Sequence, residues 1–423
     1  MNKQRYHYVP LKYVASDIKD GTHGTHKRAI SGVPFLSAKN VTSTGRILWN
    51  EKDDCISEND YSAITSSFAP KQGDLLITVV GTLGRTALFE GSRVAFQRSV
   101  AFVRPNSNIV SDYLLQASKD ANFIRQMERR SNATAQAGLY LGELAKIKIP
   151  LPTLEQQRLI AKILSTIDRT IAKTEALIEK YQQIKAGLMH DLFTRGIGAD
   201  GKLRSPREVA PELYKDSAIG WIPKEWEVIS LEKCGEIFNG TTPSRQIQEF
   251  WRGNIPWLSS GKINEYRISS PSELVTKIAL EKTPLRIVPS GSILIGLIGQ
   301  GKTRGMSARL DIDATINQNL AALIPNSEHS SVFIHQFLCH NYNRLRGDGR
   351  GSNQGALNCQ IIRAFEISCP HLNEQTRIAN ALVAHENLEY NEMKRLRKLC
   401  EQKSGLMRDL LTGKVSVNVD LAP

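Results

Sequence analysis

The sequence predicts an α+β fold: two globular mixed α/β units separated by two long helices, which pair antiparallel as a coiled coil within a pseudo-two-fold internal repeat. Three observations predict it. First, the 423-residue chain repeats itself at an offset of 218, far too long for a stacked array of small units, so one half has been duplicated. Second, residues 151–197 (LPTLEQQRLIAKILSTIDRTIAKTEALIEKYQQIKAGLMHDLFTRGI) align without a gap on 369–415 (CPHLNEQTRIANALVAHENLEYNEMKRLRKLCEQKSGLMRDLLTGKV), with 14 of 47 positions identical. Third, apolar residues in both stretches recur near every 3.5 residues, the spacing of a coiled-coil seam. Two helices related by a two-fold axis must pair antiparallel.

Residues 1–150 form the first globular unit. Its segments reappear in the second: GDLLI (73–77) as GSILI (291–295), AFVRPN (101–106) as AALIPN (321–326), and Pro34-Phe-Leu-Ser37 as Pro256-Trp-Leu-Ser259. Gln136-Ala-Gly-Leu139 likewise returns as Gln354-Gly-Ala-Leu357, and Gly21-Thr22 as Gly240-Thr241. The first long helix occupies 151–197. Thr153 and Gln156 suit a capping box, and the expected seam is Ile160, Leu164, Ile167, Ile171, Ile178, Leu188 and Leu192, with Gly196 and Gly198 ending the helix. Residues 198–226, rich in Gly, Pro and charge, read as a linker that ends in an ordered, Trp-bearing turn. The second unit covers 227–368, the second long helix 369–415 and a tail 416–423. The second seam is Ile378, Leu382, Leu396, Leu406 and Leu410, with His385, Glu389 and Glu392 as polar residues near it. A helix of this length spans about 60 Å and would expose its apolar stripe unless it buried it against the other.

Charge narrows the function. There are 55 Lys and Arg against 42 Asp and Glu, net +13, and most of the excess lies in the globular units. A basic balance of this kind points to a polyanionic partner, most often nucleic acid. Each unit has a Gly- and Arg-rich stretch after its central apolar strand. In the first it carries Arg85, Arg93 and Arg98; in the second Lys302, Arg304 and Arg309, with Asn317 and Gln318 a few residues beyond. Glycine lets backbone approach a phosphate, and Arg, Asn or Gln can each make two hydrogen bonds to a base edge. These eight residues are the DNA-binding candidates.

Other chemistry finds no support. GLIGQGKT (296–303) matches a phosphate-binding loop letter for letter. However, the corresponding stretch of the other half has no G-K-T, residues 303–318 read as loop and strand rather than helix, and no apolar strand ending in Asp stands ready for magnesium. A nucleotide hydrolase is therefore the weaker alternative. The six cysteines form no C-x-x-C pair, which argues against zinc and disulfides. His335, Cys339 and His340 read as packing or surface residues and His190 as a helix-surface residue, so no metal site and no catalytic residue are expected. Neither a methyl-donor loop nor a methyltransferase N-P-P-[YF] appears. With no apolar leader and no run of about 18 apolar residues, a cytoplasmic protein without membrane contact is expected.

The alternation of two variable units with two conserved helices, the helix openings LPTLEQQ and CPHLNEQ, the closing GLM-x-DL-x-T and the segment IGWIPKEWEV (219–228) resemble the specificity subunit of prokaryotic type I restriction–modification systems. The resemblance implies a non-catalytic subunit. Its two target recognition domains, 1–150 and 227–368, would each read one half of a bipartite, asymmetric site in double-stranded DNA. The helices would set the number of unread base pairs and dock two methyltransferase subunits, with restriction subunits joining that core. S-adenosylmethionine, ATP and magnesium would sit on those partners and no cofactor on this chain. The rival reading is a coiled-coil scaffold whose globular units bind protein.

Overall fold

A computed structural model of the chain describes residues 6–131, 138–299, 301–348 and 356–417. Gln136, Ala137, Gln354 and Gly355 of the aligned segments, Gln300 of the glycine loop and residues 418–423 of the tail lie outside them. The chain divides into two compact units, Met1–Ala176 with Met393–Pro423, and Leu177–Glu392. The long helices run over Leu154–Thr194 and Leu372–Leu411, so each is shared between the units. The sequence pattern sets the helices apart from the globular units. They are instead divided between them, because each half-helix buries its stripe in the core of one unit.

In the first unit a four-stranded antiparallel sheet is ordered Ala15–Asp20, Val100–Pro105, Leu75–Thr78, Thr86–Leu88. Its strand Leu75–Thr78 is buried at every residue, which explains the unbroken apolar run there. One sheet face, with Leu75, Ile77 and Val103, packs under the helix Ser111–Ser118 and onto Ile160, Leu164 and Leu410 of the long helices. The other, with Leu76 and Phe102, packs against Phe89 and Phe96. A smaller sheet places Val33–Leu36 between Cys55–Ile56, antiparallel, and Ala95–Phe96, parallel. His7–Pro10 pairs with Lys148–Leu151, which leads into the first long helix.

The second unit repeats this plan. Gly235–Asn239, Leu320–Pro325, Ile293–Gly296 and Ser307–Leu310 form the main sheet, to which Arg267–Ile268 adds a fifth, parallel strand. Trp251–Leu258 lies between Glu273–Val275 and Thr315–Ile316. Glu227–Ser230 pairs with Glu366–Cys369 ahead of the second long helix. Ile293, Ile295, Phe333 and Phe337 share one core with Met189, Leu192, Phe193, Ile378 and Leu382 of the long helices.

The helix ends follow local chemistry. The Gln156 N–H donates to the Thr153 hydroxyl at 3.3 Å and the Thr153 N–H to the Gln156 amide oxygen at 3.1 Å, a reciprocal cap. At the other end Gly196 adopts φ +67°, the left-handed geometry that closes a helix and favours glycine. The segment 198–226 is held along its length. Arg204 donates to Glu374 at the start of the second helix and to Glu225, the Ile197 N–H donates to the same Glu374, and Trp226 is fully buried.

Within each unit the two half-helices run antiparallel. In the second unit Gln182 donates to Glu389 at 3.0 Å and Lys185 to Glu386 at 2.8 Å, so a step of three forward on one helix is a step of three back on the other. In the first unit Lys403 reaches Asp168 at 2.6 Å. Of the expected seam, Ile160, Leu164, Ile178, Leu192, Ile378, Leu382 and Leu410 are buried, while Ile167, Ile171, Leu188, Leu396 and Leu406 are half-buried. Thr174 is also buried, and the buried His385 meets the Tyr181 ring edge-on at 5.6 Å.

Burial pushes the Asp168 carboxyl upward, but hydrogen bonds from Lys403 and Gln116, with the Lys403 and Lys119 charges, outweigh it and hold it below the ordinary value of 3.8. Glu386 is governed the same way by Lys185, Tyr266 and Gln336 and sits below 4.5. A carboxyl depressed in the folded state stabilises above its unfolded pKa, and that stabilisation is lost as pH falls through the folded value. Asp168→Asn and Glu386→Gln should therefore each lower stability near neutral pH by about 1–2 kcal/mol. Each should also lose less than the parent as pH drops below about 4.5, a difference that urea unfolding across that range would measure.

Candidate nucleic-acid interface

In each unit the short parallel strand of the smaller sheet runs into a tight turn, Gln97-Arg98-Ser99 in the first and Asn317-Gln318-Asn319 in the second. Backbone hydrogen bonds hold the two turns alike. The Gln97 N–H donates to Leu36 O at 2.8 Å as the Asn317 N–H does to Leu258 O at 3.0 Å. Val79 N–H donates to Ser99 O and Leu297 N–H to Asn319 O, both at 2.9 Å. Against each turn rests a glycine. A Cβ on Gly21 would come within 2.2 Å of Phe96 O, and one on Gly240 within 2.0 Å of Ile316 O. Only glycine lets these backbones meet, the physical reason that Gly-Thr recurs in both halves.

What the turns present differs. Arg98 and Gln318 occupy the same place and are both exposed. The Gln318 amide oxygen accepts a hydrogen bond from the Thr242 hydroxyl. The Arg98 guanidinium has no partner among the described residues and borders a cleft lined by Asp20, His23 and the exposed Tyr140.

Beside each turn an arginine lies on an aromatic ring. The Arg28 guanidinium sits 4.5 Å from the Phe35 ring centre, and its Nε donates to Asp54 at 3.0 Å. Arg245 sits 3.8 Å from the Trp251 ring and 5.2 Å from that of Trp257, and donates through both terminal nitrogens to Glu273. Phe35 and Trp257 hold equivalent strand positions. The Phe35 N–H donates to Asp54 O, and Trp257 faces Glu273 across the ladder. Arginine, aromatic ring and carboxylate are thus built twice on different sequences. Hydrogen bonds from Arg245 hold Glu273 below the usual carboxylate range.

The other candidates differ in how they are held. Arg85 is half-buried and donates to Val41 O at 3.3 Å. Arg93 is bound to both oxygens of Glu58 and lies over Tyr61. Arg309 points at Asp311, 3.8 Å away, from a largely buried position. Asn317 is buried and its side-chain oxygen accepts from the Asn319 N–H. Arg304 is half-buried, with its Nε lacking a partner, whereas Lys302 is exposed. The structure therefore brings Arg98 and Gln318 to one repeated surface and leaves Arg93 and Arg309 engaged with carboxylates. Arg28 and Arg245 escaped the sequence reading. The repeated Pro-aromatic-Leu-Ser marked their rings, but the arginines stand at unequal distances from it.

Around GLIGQGKT the chain leaves strand Ile293–Gly296 and returns antiparallel along Ser307–Leu310, with Gly301–Gly305 in turns. Among the described residues no helix begins there, so no set of helix N-terminal N–H groups points at a phosphate. The His335 Nε2–H donates to Ser307 O at 3.2 Å, with Cys339 Sγ 3.5 Å from the same nitrogen, and burial pushes the imidazole down to about 4. Among the described residues no three His, Cys, Asp or Glu side chains are placed to hold a metal ion. The exposed His190 ring lies 6.3 Å from that of His340.

Comparison with known proteins agrees with the repeat. The model of a family described as type I restriction modification DNA specificity domain matches residues 25–183 and again 223–400. The putative type I restriction enzyme MjaX specificity subunit of Methanocaldococcus jannaschii is 29% identical over 358 residues, covering 82% of this chain and 79% of that protein. The Escherichia coli EcoR124I/EcoR124II specificity subunit is 24% identical over 247 residues, 57% of this chain and 56% of that one. The crystal structure of the type I restriction–modification S subunit from M. genitalium superposes with a TM-score of 0.62 over 97% of both chains at 14% identity, a likeness of fold.

Gly240→Ala should open the 317–319 turn and cost about 1–3 kcal/mol, and Gly21→Ala should do the same to 97–99. Thermal melts of the two variants check this, and an unchanged melting temperature would show that the turns accommodate a methyl group.

Proposed function

The chain belongs to the type I restriction–modification DNA specificity family, and from that premise we propose that it is the DNA sequence-recognition subunit of a type I complex whose two domains each read one half of a bipartite, asymmetric site. The observation that carries this reading is the doubled turn: one backbone frame made twice, with Arg98 outermost in one copy and Gln318 in the other. A constant frame carrying different hydrogen-bonding groups suits two readers of different sequence. The stacked Arg28 and Arg245 would support the turns or approach the phosphates, and the positive charge of the chain would supply the sequence-independent attraction.

In this reading the long helices set the number of base pairs left unread between the halves and dock two methyltransferase subunits, and restriction subunits complete the assembly. This subunit is not the catalytic one, and S-adenosylmethionine, ATP and magnesium belong to the partners. Among the described residues no helix is long and apolar enough to cross a membrane. The scaffold alternative is separated by salt: phosphate contacts make log K fall linearly with log salt, whereas a protein-binding scaffold would show no such slope on DNA.

Three outcomes test the proposal in the complex reconstituted with its methyltransferase subunits, with methylated adenines mapped by long-read sequencing. Exchanging residues 1–150 for those of a relative should change one half-site only, and a change in both would contradict modular reading. Inserting four residues into each long helix, about 6 Å or near two base pairs of B-DNA, should change the spacer and leave both half-sequences intact. Arg98→Ala should relax one position of one half-site at a cost of about 1–3 kcal/mol. Equal weakening on all sequences would make Arg98 a phosphate contact instead.

A further inference from the structure

Each unit contains one polar node where the two half-helices meet a helix of the globular domain. In the first, Asp168 accepts from Gln116 at 3.0 Å and is paired with Lys403 at 2.6 Å, and Lys119 lies 3.8 Å away. In the second, Glu386 accepts from Gln336 at 2.7 Å, from Lys185 at 2.8 Å and from the Tyr266 hydroxyl. The nodes correspond through the repeat with the helices exchanged. The carboxylate stands on the first long helix in one and on the second in the other, with the lysine opposite, and Gln116 and Gln336 hold equivalent places on helices Ser111–Ser118 and Ser331–His340. In both, the glutamine Oε1 is buried without a partner, so the amide is committed to donating.

The neighbouring sequence gives the nodes their meaning. A slip of one heptad either way would set Asp168 opposite Leu396 or Leu410, and Glu386 opposite Ile178 or Leu192. Shifts of four residues offer Leu399 or Met407 to Asp168, and Tyr181 or Met189 to Glu386. Leucine seams alone tolerate such slips, because one apolar contact replaces another. A half-buried carboxylate does not, because it would lose its lysine and its amide together.

We propose that Gln116–Asp168–Lys403 and Gln336–Glu386–Lys185 are positioning residues that key the register of the long helices and the seating of each recognition domain on them, and so select a single spacer length in the DNA site. This rests on the reading of the helices as the spacer ruler. The two ideas fail separately: an unchanged spacer after the four-residue insertion overturns the ruler, whereas the nodes are tested at native helix length.

The test uses the reconstituted methyltransferase complex and a pool of duplexes carrying the parental half-sites at graded spacers. The parent should methylate one spacer. The doubly neutralised chain, Asp168→Asn with Glu386→Gln, should keep both half-sequences and lose about tenfold in discrimination between spacers, the factor that about 1.4 kcal/mol carries. The charge-exchanged chain, Asp168→Lys/Lys403→Asp with Glu386→Lys/Lys185→Glu, should recover the single spacer, since each glutamine can turn its free Oε1 toward the new lysine. A folded neutralised chain that discriminates as the parent does would overturn the proposal. So would a charge-exchanged chain that folds without recovering discrimination. If the neutralised chain does not fold, the exchanged chain decides alone: the parental spacer supports the nodes, and any other result, unfolding included, overturns them.

Discussion

A carboxylate half-withdrawn from water between two helices is best met by a counter-charge in one place, and that requirement bears on much of this molecule. The long helices carry ordinary apolar stripes, which would pack in several registers with similar gain. Asp168 and Glu386 remove that freedom, since each is satisfied by a lysine on the opposite helix and an amide from the globular domain beside it. The same contacts therefore align helix with helix and domain with helix. Such groups contribute little net stability when paired and cost a good deal when unpaired, so they act by excluding alternatives.

Around that axis the chain has used one plan twice and varied it where the plan allows. The sheet order, the parallel strand pair, the glycine under the turn and the capping of the domain strands onto the helices recur. Where backbone meets backbone the residue is held to type, as Gly21 and Gly240 show. Where a side chain meets another, the chemistry is kept and the residues change: Phe35 becomes Trp257, Asp54 becomes Glu273 and Asp168 becomes Glu386. Where a side chain meets solvent, as at Arg98 and Gln318, even the chemistry changes. That gradient, from backbone through packing to surface, suits the proposed pair of readers held in one frame.

The glycine loop at 296–303 shows how a motif can be spelled correctly and mean nothing. Its letters match a phosphate cradle, but a cradle needs consecutive N–H groups at a helix start, and here the chain turns straight back into the sheet. The glycines serve the hairpin instead: a Cβ on Gly296 would lie 2.2 Å from Thr303 O.

The sequence by itself determined the duplication, the two long helices, the caps of the first, seven of their buried positions and the family, because heptad periodicity and a gapless repeat are written in order along the chain. It also marked the glycines and aromatics of the smaller sheets as repeated. Tertiary structure alone decided which charges meet. Asp168 finds Lys403, Gln336 finds Glu386 and Arg28 finds Phe35 through chain reversals that no local pattern encodes. It also separated the exposed Arg98 from Arg93 and from Arg309 on the strand Ser307–Leu310, cations of the same type that are engaged with Glu58 and Asp311. Periodicity reports which face of an element is apolar, but a polar contact depends on distance and direction between elements, and those exist only once the chain has folded.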